Sequence, residues 1–270
     1  MGALRVTEVA LSIAGSDSGG GAGIQQDLKV FEALGVWGAT AVTAITVQDT
    51  HGVRDVHSVP WELVAAQIDA VAADLRPSAA KTGMLPDGAC VRGVCDAIER
   101  HRLGPLVVDP VLAASDGTGL MDPAALDLVR ERLVPLAAVI TPNLAEAAVL
   151  TGLAVDSPGS QETAARALVE LGAAAALVTG GHLEGDAIDI LFDGETVTAF
   201  PGPRIPGGPV HGTGCVLSAA ITAGLARGRP LRSAVGEAKE LVTGAIERAR
   251  SIGGGARVAD AAWRSRPPHH

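Results

Sequence analysis

The chain has 270 residues, 47% hydrophobic and 19% charged, a composition that builds a packed core and excludes a disordered polymer. A net charge of −9 argues against non-specific nucleic-acid binding, and three Phe, three Trp and no Tyr leave few platforms for stacking single-stranded bases. Three cysteines without a CxxC pair exclude a disulfide framework and point to a reducing cytoplasm, with Cys90 and Cys95 expected on a helix.

In chain order, residues 1–5 lack the layout of a signal peptide, and no apolar run reaches the ~18 residues of a membrane span. Residues 9–14 (VALSIA) predict a strand that ends in a glycine-dense turn. Ile24, Leu28, Phe31 and Leu34 recur at helical spacing and predict a helix over 22–34, stopped by Gly35. Strands are predicted at 38–47, 79–82, 106–109, 137–141 and 175–179. Helices are predicted at 61–75, 89–100, 123–133, 144–151 and 161–171. Residues 187–192 and 196–200 predict a hairpin across Asp193-Gly194. Helices then follow at 214–226 and 233–250, and the last twenty residues read as a loose tail. This rhythm implies an α/β fold with a mostly parallel sheet covered on both faces, whose ligands bind beyond the carboxyl ends of the strands.

Common motifs are absent. None of the three lysines, Lys29, Lys81 and Lys239, follows a glycine, so there is no P-loop. HExxH and GxSxG do not occur. The glycine clusters miss GxGxxG, because the third glycine falls on Ile24 or Leu217.

Four constellations remain, all at predicted strand ends. Five glycines fall within residues 15–23, more than a turn needs, and they would let a ligand approach the backbone. Asn143 and Glu146 have the spacing of a capping box, and Glu146 could also support Mg²⁺. Asp109 closes the run LVVD, where a buried acid needs a partner or a metal. His211-Gly212-Thr213-Gly214-Cys215 leads into an apolar helix, a layout for an anion-holding nest. Cys215 would sit in its first turn, where the dipole lowers a thiol pKa. Gln48 and Asp27 are weaker candidates, each as readily a surface or capping residue. His51, His57, His101 and His182 have no metal-ligand spacing, and His269 and His270 are terminal.

These residues carry a resemblance. AGSDSGGGAGIQQDLK (14–29), TAITVQDT (43–50), KTGML (81–85), VVDPV (107–111), TPNLAEAAVL (141–150), TGGH (179–182) and HGTGC (211–215) occur in one order. Together they resemble the hydroxymethylpyrimidine and phosphomethylpyrimidine kinases of thiamine biosynthesis, in the vitamin-kinase branch of the ribokinase-like superfamily. The resemblance runs from about residue 8 to 250. It implies a three-layer α/β/α fold, one kinase domain over 1–250, and a tail over 251–270. It implies phosphorylation of 4-amino-5-hydroxymethyl-2-methylpyrimidine by ATP with Mg²⁺, then of that monophosphate to the diphosphate. It implies a cytoplasmic homodimer without nucleic-acid or membrane partners.

Carried over residue by residue, the pyrimidine pocket falls on Gly15, Ala22, Asp27, Gln48, Met84 and Val111. The base falls on Cys215, and the amides of Gly212, Thr213 and Gly214 would hold the transferring phosphoryl group. Glu146 and Asp109 match the Mg²⁺-supporting acids, and Asn143, Thr179 and Gly181 match nucleotide contacts. One departure stands out: the family commonly carries Lys where this chain has Thr179, and a threonine cannot neutralise phosphate charge. The alternatives are a pyridoxal or pyridoxine kinase of the same branch, a small-sugar kinase, and a silent vitamin- or nucleotide-binding protein. A segment over 113–121, bordered by Gly117 and Gly119, could close over the substrate, and 200–210 could border the adenine site.

Overall fold

The predicted alternation closes into one nine-stranded sheet, seen in a computed structural model that describes residues 7–114, 117–181, 183 and 185–265. His182, His269, His270, residues 1–5, and Ser115 and Asp116 of the expected closing segment lie outside the described residues. In chain order the elements are β1 (Val9–Asp17), α1 (Gly23–Ala33), β2 (Trp37–Asp49), β3 (Gly52–Ser58), α2 (Trp61–Asp74), β4 (Ala79–Thr82), α3 (Gly88–His101) and β5 (Leu106–Val108). A one-turn α4 (Leu126–Leu128), β6 (Val139–Ile140), α5 (Leu144–Thr151), α6 (Pro158–Glu170), β7 (Ala176–Val178), β8 (Asp189–Phe192) and β9 (Val197–Phe200) follow. The chain then forms β10 (Val210–His211), α7 (Thr213–Ala226), α8 (Leu231–Glu247) and β11 (Arg257–Val258).

The sheet order is β3-β2-β1-β4-β5-β6-β7-β8-β9. Pairing is parallel from β2 to β7 and antiparallel at both edges, where β3, β8 and β9 sit. Alternation along the strands sorts the core into two layers. Leu11, Ile13, Leu106 and Val108 pack with α2, α3, α5 and α6 on one face. Ala10, Val107 and Leu177 pack with α1, α7 and α8 on the other. Strands buried on both faces explain why β5 and β7 read as unbroken apolar runs. The three-layer α/β/α expectation holds, and Cys90 and Cys95 both lie on α3.

Four local differences have physical causes. β3 escaped prediction because GVRDVHS is a polar edge strand with little alternation. The helix expected at 123–133 is instead a 3₁₀ turn, α4, a π segment over Val129–Leu133 and a 3₁₀ turn over Val134–Leu136. Pro135, in that last turn, offers no N–H to continue a regular helix. β10 and β11 form a separate parallel pair, two residues long each and too short to leave a periodic signal. The segment expected as a loose tail docks through that pair. Trp263 donates its indole N–H to the Leu241 carbonyl and lies where a side chain on Gly244 would be.

Candidate active site

The parallel strands deliver their carboxyl ends to one edge of the sheet. Asp17 ends β1, Gln48 lies near the end of β2, and Asp109, Asn143 and Thr179 follow β5, β6 and β7. The glycine turn after β1 folds around the Asp17 side chain. Its carboxylate accepts the N–H groups of Gly19 (2.7 Å), Gly21 (2.9 Å) and Ala22 (2.8 Å), and lies 3.2 Å from His211 Nε2. Burial alone would raise this carboxyl, but His211 and the Gly19 and Ala22 N–H groups outweigh it and hold it below its ordinary value. The turn therefore aims these N–H groups at its own aspartate rather than at a ligand. Two of its glycines serve close approach. A side chain on Gly21 would collide with His211, and one on Gly23, at φ +57°, with the Gly15 carbonyl.

The anion-loop residues stand opposite. Gly212 caps α7 at φ +83°, pressed so closely on the Gly21 carbonyl that no side chain fits. Thr213, Gly214 and Cys215 form the first turn, whose N–H groups lack helical acceptors. The expectation that the helix start lowers this thiol is corrected. Burial pushes it up, to about 12, while the Lys81 ammonium and the Gly23 N–H act in the opposite sense. The residue is nonetheless partly open to the crevice.

Beneath Cys215 lies a buried charged network that sequence reasoning missed. Lys81 Nζ donates to Asp27 Oδ1 at 2.9 Å and lies 3.7 Å from Asp109 Oδ2. Ser12 donates to Asp27 Oδ2 at 2.6 Å, and Ser218 to Asp109 Oδ2 at 2.8 Å. Burial opposes the Lys81 charge, but Asp27, Cys215 and Asp109 outweigh it and keep the ammonium protonated. The available signal was a single lysine inside the short buried strand AAKT. Asp27 is 0% exposed and both its oxygens are engaged, so it underlies the expected pyrimidine pocket rather than facing it.

The other expected pocket residues lie at the carboxyl edge of the sheet, at or after the ends of β1, β2, β4 and β5. Gln48 Nε2 lies 3.2 Å from His211 Nε2, and its Oε1 accepts from Thr46 Oγ1 at 3.1 Å. Gly15 lies against Met84, whose sulfur would stand 3.0 Å from any Cβ there, and the Met84 carbonyl accepts from Thr43 Oγ1. Ala22 is the N-cap residue of α1, and the Val111 N–H is turned back to the Asp109 carbonyl.

Asn143 and Glu146 form both arms of a capping box at α5. The Asn143 Oδ1 accepts the Glu146 N–H at 3.0 Å, and the Glu146 Oε2 accepts the Asn143 N–H at 2.9 Å. Burial, then the nearby Asp109 charge, pushes the Glu146 carboxyl up to about 8 against its hydrogen bonds from Asn143 and Leu112. A buried carboxyl beside a second acid suits a hard divalent cation. Among the described residues no group of three or more His, Cys, Asp or Glu could hold a metal alone. A Mg²⁺ ion here would therefore complete its shell with water and phosphate oxygens. Thr179 bridges to Asn143 at the ends of β7 and β6. The Gly181 carbonyl accepts from Arg204, whose guanidinium also donates to the Leu183 and Gly185 carbonyls.

Comparison with known proteins gives a consistent picture. Residues 17–260 match the family model described as phosphomethylpyrimidine kinase. A hydroxymethylpyrimidine/phosphomethylpyrimidine kinase of Rhizobium meliloti is 50% identical over 90% of this chain and 92% of its own. The thiamine biosynthesis bifunctional protein ThiED of Geobacter sulfurreducens is 46% identical over 91% of this chain, which spans 50% of that longer protein. Among solved structures, an ADP complex of Bacillus subtilis pyridoxal kinase superposes with a TM-score of 0.89 at 35% identity, covering 95% of this chain and 98% of that one.

Proposed function

This chain belongs to the phosphomethylpyrimidine kinase family, and from that premise we propose that it phosphorylates hydroxymethylpyrimidine and then its monophosphate with ATP, in thiamine biosynthesis. The observation that carries the reading is the meeting of Cys215, Asp109, Glu146 and Gln48 along one sheet edge with the α7 start. Gln48 can present a donor and an acceptor to the aminopyrimidine edge, and Met84 and Val111 offer apolar contact to its ring. Cys215 takes the proton of the substrate hydroxyl. Burial holds the sulfur as a thiol, and Lys81 acts against that burial, toward the thiolate this role requires as the hydroxyl gives up its proton. The amides of Gly212, Thr213 and Gly214 stabilise the charge that develops on the transferring phosphoryl group. Asn143, Thr179 and Gly181 contact the nucleotide. Glu146 and Asp109 would hold Mg²⁺, which when bound would neutralise charge on the phosphates.

The kinase is read as one domain over 1–250, to which residues 257–265 dock. No helix among the described residues is long and apolar enough to cross a membrane. Free thiols at Cys90, Cys95 and Cys215 suit a reducing cytoplasm. The partner is read as a second copy of this chain. Ile45 and Val47, 53% and 54% exposed on one side of β2, offer it an apolar face.

ADP release with MgATP, measured in parallel on hydroxymethylpyrimidine, its monophosphate and pyridoxal, tests the reading. Turnover of both pyrimidines and little of pyridoxal is expected. Turnover of pyridoxal alone would reassign the chain to the pyridoxal-kinase branch, which the B. subtilis neighbour keeps in view.

A further inference from the structure

Gln26 of α1 is fully buried, and its Nε2 donates to the Ala259 carbonyl at 2.9 Å, a contact between residues 233 positions apart. Its Oε1 meets no hydrogen-bond donor among the described residues, a costly way to fill a core position if volume alone mattered. Ala259 supplies the reason for an amide here. Its N–H donates to the His211 carbonyl at 3.1 Å, directly after β11, whose Arg257 and Val258 pair with Val210 and His211 of β10. Two residues of isolated pairing have little stability of their own. The Gln26 amide therefore fastens to α1 the segment that holds His211, the residue leading into Gly212 and the first turn of α7. Other parts of the site meet the same segment. Val258 lies 3.2 Å from where a Cβ on Gly21 would stand, and a Cβ on Gly212 would stand 3.7 Å from the Gln26 Cγ. Just past Gln48, Thr50 accepts the Gly255 N–H at Oγ1 (3.0 Å) and the Ala256 N–H at its carbonyl (2.7 Å).

We propose that Gln26 is a positioning residue for phosphoryl transfer. It locks the C-terminal strand β11, through Ala259, against β10, and so fixes the Gly212, Thr213 and Gly214 amides where the transferring phosphoryl group develops charge. The inference rests on the role given to those amides in the reading above. A misplacement of about 1 Å in a reacting geometry costs about a hundredfold in rate. Donors aimed at the transition state act on kcat, not on the binding of the ground state. Gln48, Met84 and Asn143 are held by contacts of their own, so ligand affinity depends little on the Gln26 amide. A residue that only completes the core would change Tm. At a temperature where the protein is fully folded, its loss would leave kcat unchanged.

The test is Gln26→Leu, which keeps most of the volume and removes the amide, assayed well below the variant's Tm. On hydroxymethylpyrimidine, kcat is expected to fall about tenfold, while KM for the pyrimidine and for ATP each move less than about threefold. Hydrogen–deuterium exchange, followed by peptide mass spectrometry, is expected to quicken in peptides covering 208–216 and 256–261 and to stay unchanged over β4 and β5. Unchanged kcat in the folded variant overturns the proposal, as does exchange that quickens evenly along the whole chain. Should Gln26→Leu fail to fold, Val258→Ala decides, because it loosens the same strand on its Gly21 side and leaves α1 intact. A lower kcat with both KM values held then supports the proposal, and an unchanged kcat overturns it. If the unaltered protein turns over no pyrimidine, the kinase reading fails. Exchange quickened in those two segments alone would still support Gln26 as the lock on the loop, and unchanged exchange would overturn it.

Discussion

The Asp17 carboxylate and the His211 imidazole meet at 3.2 Å, joining the glycine turn after β1 to the approach of α7. The pair sets the two walls of the crevice. On one side Asp17 organises the N–H groups of Gly19, Gly21 and Ala22. On the other, His211 leads directly into Gly212 and the first turn of α7.

Asp17→Ala should therefore loosen both walls together. Three N–H groups lose their acceptor, and the expected loss is about 2 kcal/mol of stability. The pH dependence has a definite sign. The folded-state carboxyl is held below its ordinary 3.8, so its contribution is present above that value and is lost as pH falls through the folded-state value. In calorimetry, the Tm gap between the unaltered protein and Asp17→Asn should shrink on acidification from pH 6 to pH 3. A gap that stays constant would remove Asp17 from the acid-labile groups.

How much of this was legible in sequence follows from contact range. The Asn143–Glu146 capping box spans three residues and could be read from spacing. The parallel sheet could be read from apolar runs such as LVV, buried on both faces. The Lys81–Asp27 pair spans 54 residues and the His211–Asp17 contact 194, distances over which no periodicity speaks. Asp27 shows the limit of carrying roles by motif. Its place in the motif suggested substrate contact, yet Ser12 and Lys81 already take both its oxygens.

Cys215→Ala should reduce kcat about 100-fold or more, because a proton acceptor in the transition state is worth that order. The pyrimidine KM should move less than about threefold, since Gln48 and Met84 are untouched. Steady-state kinetics on hydroxymethylpyrimidine measure both. Near-normal kcat would dismiss the sulfur as the base.

Gln48→Ala should weaken pyrimidine binding more than ATP binding. The variant also frees His211 from its neighbour at 3.2 Å, so a small change in the anion loop accompanies it. Titration calorimetry with each ligand separates the two effects. Equal losses would contradict the placement of Gln48 at the ring.

Glu146→Gln isolates the metal role from the cap. The Gln side-chain oxygen can still accept the Asn143 N–H, so α5 keeps its start. Burial, then the Asp109 charge, pushes the Glu146 carboxyl up to about 8, so it can still ionise toward a bound cation, whereas Gln cannot. The Mg²⁺ concentration for half-maximal rate should rise about fivefold or more, while Tm in the absence of Mg²⁺ should not fall. An unchanged Mg²⁺ requirement would leave Glu146 a helix cap only.

Thr179→Lys reverses the one departure from the family pattern. Thr179 stands beside Asn143 at the carboxyl edge of the sheet, half-buried and next to the Gly180 turn that Asp189 holds by accepting the Gly180 N–H at 3.0 Å. A cation there, about 4 Å from a phosphate oxygen and screened as in water, contributes about 1 kcal/mol, or roughly a fivefold lower KM for ATP. Thr179→Met supplies length without charge and should leave that KM unchanged. If the lysine has no effect, the nucleotide phosphates already have their full positive complement from Mg²⁺ and the α7 amides. The threonine would then be a substitution that this arrangement tolerates at no cost to nucleotide binding.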